Sequence, residues 1–140
     1  MLTLAQANGI IDGAFASAAS DDVPALTVVV IDAAGDIVSA QRQDGASMFR
    51  LDVALGKAWG AVAMGVSSRA LAERAKGNPN FFAGLAATSK GRLLPQPGAV
   101  LIRDGGGAII GAVGASGGTG DQDEACCLSG IKDVGLGSDA

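Results

Sequence analysis

Residues 99–116 read AVLIRDGGGAIIGAVGAS, two apolar runs rich in Val, Leu and Ile on either side of three consecutive glycines. A run that stops at Asp-Gly-Gly-Gly and resumes with Ala-Ile-Ile predicts two antiparallel strands joined by a tight turn. Upstream, ALTVVVIDAAGDIVSAQR at 25–42 has the same form: a β-branched run, a turn at AAGD and a second extended run. The hairpins share a pattern but not a sequence, so they do not establish a duplication.

Helical segments flank both hairpins. Thr3 followed by Gln6 is a capping-box pattern, and Leu4, Ala7, Ile10, Ile11, Ala14 and Ala18 recur at helical spacing, which predicts a helix over 4–20. Gly9 and Gly13 cost that helix about 1 kcal/mol each relative to Ala, a cost explained if another backbone packs closely over them. Ser47 is the predicted cap of a helix from Met48 to about Met64, with a core stripe of Leu51, Leu55, Ala58 and Val62 and Trp59 at its margin. Arg50 and Lys57 fall on an adjoining flank, with Ala54 and Ala61 between them. ALAERAK, starting after Ser67 or Ser68, is a short helix stopped by Gly77 and Pro79. Residues 81–98 read mostly as loop, with a short extended piece at Arg92 to Leu94, and residues 120–134 as the last helix. The predicted order is α-β-β-α-α-β-β-α. Without strand–helix–strand alternation this is a single α+β domain over 1–140, with a mainly antiparallel sheet.

Composition narrows the function classes. The net charge is −4, and no Lys/Arg cluster exceeds a pair, which argues against nucleic acid and anionic membranes as partners. With no long apolar run and no basic leader pattern, a cytoplasmic protein is the expectation. Aromatics make up 4% of the chain while Gly numbers 22, so the core must be built from small, closely approaching groups. Cys126 and Cys127 are adjacent in the last predicted helix, where successive side chains diverge too far to bridge easily; reduced thiols in the core are expected.

The segment GAVGASGGTGDQDEACC at 111–127 is placed where a phosphate loop would be, after a strand and before a helix. It lacks both GxGxxG and GxxxxGK[ST], and Asp121, Asp123 and Glu124 in the first turn would repel an incoming anion. Thr119 with Gln122, or Asp121 with Glu124, supplies a capping box. Gly114, Gly117, Gly118 and Gly120 together point to a backbone close to another chain or to a ligand, as a subunit contact or a pocket wall.

Four blocks of this sequence, RQDGAS (42–47), DVALGKAWGAVAMG (52–65), GRLLPQPG (91–98) and GAVGASGGTGDQDEA (111–125), resemble the GlcG/HbpS-like proteins, also found as the C-terminal domain of PduO-type proteins. The resemblance spans nearly the whole chain. It implies a five-stranded, mainly antiparallel sheet with helices against it and a homo-oligomer, often an octamer. It also implies that some relatives bind haem or a corrinoid, while others are encoded beside small-molecule catabolic enzymes without an assigned reaction.

The chain has no histidine and no tyrosine, which removes the imidazole base, the commonest haem ligand and any histidine metal site; no metal is expected. Haem iron would be left with Met48, Met64, a cysteine thiolate, a hydroxyl such as that of Thr119, or no strong protein ligand, with Arg42, Arg50 or Lys57 for the propionates. Two readings of function follow. The first is an oligomeric binding protein for an anionic small molecule, haem or another tetrapyrrole among the candidates, with Arg42, Asp44, Gly45, Arg50, Lys57, Gly117, Gly118 and Thr119 as ligand-binding residues. The second is a lyase or isomerase acting on a small organic acid in a catabolic pathway, with Asp52, Lys57 and Glu124 as catalytic residues. In a third, structural reading, the glycines serve assembly alone.

Overall fold

In the computed structural model, which describes residues 1–139, the elements run α1 (Leu4–Ser20), β1 (Thr27–Asp32), β2 (Ile37–Arg42), α2 (Phe49–Met64), α3 (Ser68–Gly77), α4 (Pro79–Thr88), β3 (Ala99–Arg103), β4 (Ile109–Ser116), α5 (Gly120–Asp133) and β5 (Gly137–Asp139). The strands form one antiparallel sheet in the order β2-β1-β4-β3-β5. This is the α+β architecture read from the two hairpins. The fifth strand is a three-residue edge, fastened by Arg103 donating to both carboxylate oxygens of Asp139 at 2.9 and 2.7 Å. Among the described residues no helix is long and apolar enough to cross a membrane.

Strand alternation divides the interior in two. Val28, Val30, Val100, Ile102, Val113 and Ala115 face α1 and α5, which supply Ile10, Ile11, Cys127 and Ile131. Val29, Ile31, Ala99, Leu101 and Ala112 face the other way, toward Ala54, Ala58 and Ala61 of α2. α1 and α5 both begin with the capping box expected from Thr3/Gln6 and Thr119/Gln122.

Small residues let these layers close. A Cβ on Gly13 would lie 2.8 Å from the Cα of Gly130, and one on Gly130 would lie 2.2 Å from the carbonyl oxygen of Ile10. A Cβ on Gly114 would meet the carbonyl of Ala54 at 2.3 Å, and one on Gly117 that of Ala25 at 2.2 Å. The backbone approached by Gly114 and Gly117 therefore belongs to the same chain, where the sequence pattern pointed to a second chain or a ligand.

Four local expectations are corrected. Residues 79–88 form a helix, because Pro79 occupies its first turn, where the missing N–H costs nothing. Arg92 to Leu94 is irregular and lies against α2, with the Leu94 N–H donating to the Gly56 carbonyl at 3.1 Å. The buried stripe of α2 is Ala54, Lys57, Ala58 and Ala61, rotated from the expected one: Leu51 is exposed, and Leu55 and Val62 are half-buried. Methyl groups pack closer to the sheet than leucines do, so the small face turns inward. Ser47 gives its carbonyl, not its side chain, to the Arg50 N–H.

Candidate functional site

Where the end of β4 meets the start of α5, the chain shapes a cavity of about 410 Å³ whose wall includes Arg50, Lys57, Ser116, Thr119 and Asp123. Lys57, only 5% exposed, donates from Nζ to the Ala115 carbonyl at 3.0 Å and pairs with Asp123 Oδ2 at 3.2 Å. Asp123, 1% exposed, also accepts from the Gly118 N–H at 2.9 Å. Burial pushes the Asp123 carboxyl above its ordinary range, and the Lys57 ammonium, the Gly118 N–H and Arg50 oppose that shift without cancelling it. Gly98 makes the pair possible. Its φ is +131° and a Cβ there would stand 2.6 Å from Nζ, so a side chain at this position would obstruct the lysine. Arg50 donates to Ser116 Oγ at 3.4 Å and has no ion pair among the described residues.

A second, apolar depression of about 270 Å³ lies at the start of α2, between Thr27, Ala40, Arg42, Met48 and Leu51. Arg42, Thr27 and Ser116 are register partners across β2, β1 and β4, so their side chains share the α2 face. The Thr27 hydroxyl is buried without a hydrogen-bond partner. Met48 beside it is 87% exposed. Arg42 likewise makes no ion pair among the described residues.

The residues proposed from sequence are thus distributed over several places. Arg50, Lys57, Gly118 and Thr119 line the first cavity. Arg42 stands between the second depression and an open one that it shares with Asp44, while Gly45 completes an exposed turn with φ +88°. Gly117 packs on Ala25. Asp52 lies elsewhere on α2, in a depression of about 680 Å³ with Trp59 and Arg92, whose guanidinium is 4.4 Å from the indole centre. Glu124 is held by Arg69 at 2.9 Å, and Arg69 also pairs with Asp121. The structure does not bring Asp52, Lys57 and Glu124 together. Two cations serve the three carboxylates, Lys57 for Asp123 and Arg69 for both Asp121 and Glu124, which lessens the repulsion expected of them.

Asp123 as the partner of Lys57 was not read from sequence, where it counted only among three carboxylates expected to repel an anion. The signal is present: Asp123, Cys127, Gly130 and Ile131 fall on one buried stripe. Cys126 and Cys127 are buried free thiols, and burial raises both, Cys127 well above the ordinary thiol range. A thiol-specific disulfide reagent should therefore find no reactive group in the native protein within minutes and two after unfolding in guanidinium. Rapid native labelling would contradict this packing.

A family model described as haem-degrading protein HbpS-like matches residues 2–132. The chain belongs to the HbpS-like family. An uncharacterized 15.0 kDa protein of Citrobacter freundii, from the dhaT-dhaS intergenic region, is 31% identical to this HbpS-like chain over 122 residues, which is 87% of this chain and 84% of that one. Among solved structures, the PduOC–haem complex superposes with a TM-score of 0.87 at 25% identity, covering 99% of both chains. The Klebsiella pneumoniae protein ORFY gives 0.85 at 28% identity, covering 95% of this chain and 90% of the other. HbpS gives 0.82 at 27%, covering 96% and 90%.

Proposed function

We propose that this chain is a homo-oligomeric binding protein for haem or a related tetrapyrrole, with an edge of the macrocycle seated over the start of α2. The observation that carries the reading is the buried, unpartnered Thr27 hydroxyl beneath the exposed Met48, beside a guanidinium at Arg42 that has no carboxylate partner. A buried hydroxyl left unpaired costs about 1–3 kcal/mol, which a polar atom of a ligand would recover. The HbpS-like family and the similarity to a protein solved with haem support the ligand class.

The donor set fits such a group within limits. Both thiols are buried, so the accessible soft donor at the depression is the Met48 thioether, with the Thr27 hydroxyl nearby and Arg42 for one propionate. Bound haem would supply a redox-active iron. A depression of about 270 Å³ covers only part of a macrocycle, which favours a site completed by a second copy of the chain. The alternative, a lyase or isomerase of small organic acids, has no comparable support, since its three proposed groups stand apart.

Titration with hemin should give a saturable Soret band at one haem per chain or per pair of chains. Met48→Leu should change the band position, and Arg42→Ala should weaken binding by roughly tenfold. A spectrum identical to hemin in buffer would remove the tetrapyrrole reading.

A further inference from the structure

The cavity at Arg50 and Lys57 has no part in the tetrapyrrole reading, and its wall holds the buried pair Lys57 and Asp123 beside a half-buried Arg50. Lys57 uses two of its three N–H groups on Ala115 and Asp123, which leaves one for an occupant. At the start of α5, the Gln122 N–H is taken by the Thr119 side chain and the Asp123 N–H by the Thr119 carbonyl. Those of Gly120 and Asp121, both lining the cavity, have no partner among the described residues.

Charge decides what these donors suit. Lys57 is paired with Asp123, and Asp121 and Glu124 share Arg69, so Arg50 is the cation on the wall that has no ion pair among the described residues. One cation matches one anion. Val53, Leu94 and Pro97 give the wall an apolar side, alongside the polar groups of Gln96, Ser116 and Thr119, and 410 Å³ is the room of on the order of a dozen water molecules. We infer that this cavity is a binding site for a short aliphatic monocarboxylate, its head on Arg50 and the free N–H group of Lys57 and its tail on Val53, Leu94 and Pro97.

The test is a titration of ¹⁵N-labelled protein with sodium butyrate, with butyramide at matched ionic strength as the neutral control. Butyrate should give saturable shifts at the amides of Gly118, Gly120 and Asp121, butyramide should give none, and Arg50→Gln should weaken the response roughly tenfold or more. Non-saturating shifts, an equal response to butyramide, or unchanged affinity in Arg50→Gln would overturn the inference. Because a propionate arm carries the same head group, the protein is also saturated with hemin: simultaneous occupancy supports a site for a free acid, and displacement of butyrate by hemin overturns it. Saturable butyrate binding by a chain that leaves the hemin spectrum unaltered keeps this inference and loses only the tetrapyrrole reading.

Discussion

Lys57→Met should lower the unfolding free energy by about 3–5 kcal/mol at neutral pH, because it leaves the Asp123 carboxylate buried without its cation. The loss should depend on pH in a definite direction. Unfolded, Asp123 titrates near about 3.9; folded, burial already holds its carboxyl higher. Between those two values the folded chain keeps a proton that the unfolded chain has released, so this group's contribution to stability falls as pH rises through the window. Removing the ammonium stretches the window upward. The deficit of Lys57→Met should therefore be greatest at neutral pH and shrink in mild acid, as measured by urea unfolding. A deficit equal at both pH values would mean that lost packing, not a stranded charge, is responsible. Lys57→Met combined with Asp123→Asn should recover most of the loss, since Asn still accepts from the Gly118 N–H.

Gly130→Ala should destabilise the protein by about 1–3 kcal/mol even though Ala is the better helix former by about 1 kcal/mol. The added methyl would start 2.2 Å from the Ile10 carbonyl oxygen and 3.1 Å from the Ala14 nitrogen, so α1 and α5 would have to separate. Gly84 in α4 is exposed with open space at its Cβ position, and Gly84→Ala should follow propensity and stabilise by roughly 0.5–1 kcal/mol. Thermal melts of the two variants should shift in opposite directions. A rise for Gly130→Ala would refute the close crossing of the two helices.

The hairpins, both capping boxes and the close approach at Gly9 and Gly13 were legible because each is written in local sequence. A Cβ on Gly13 would meet the Gly130 backbone at 2.8 Å, whereas one on Gly9 would meet the Val134 side chain, not a backbone, at 2.7 Å. The rotation of α2 was not legible: Leu51, Leu55 and Val62 score as a core stripe, and only the depth of the sheet groove decides that alanines and a lysine fit it better. α4 was missed because Pro79 was read as the stop of the helix before it, although Pro at a first helical position is favourable. At the site, four of the eight residues expected to bind a ligand, Arg50, Lys57, Gly118 and Thr119, line one cavity. What remained hidden was long-range pairing. Lys57 with Asp123, and Arg69 with Glu124, join residues 66 and 55 positions apart. The orphaned Thr27 hydroxyl is likewise visible only when every neighbour is placed.

The passage beside Gly98 has a mechanical meaning. The two apolar clusters lie on opposite sides of the sheet, and a protein with halves so divided is free to melt in two steps. Here a lysine rooted in one helical layer clasps an aspartate rooted in the other, past the end of the strands. Peeling away either layer strands a charge in the half left behind, which ties the halves into one cooperative unit.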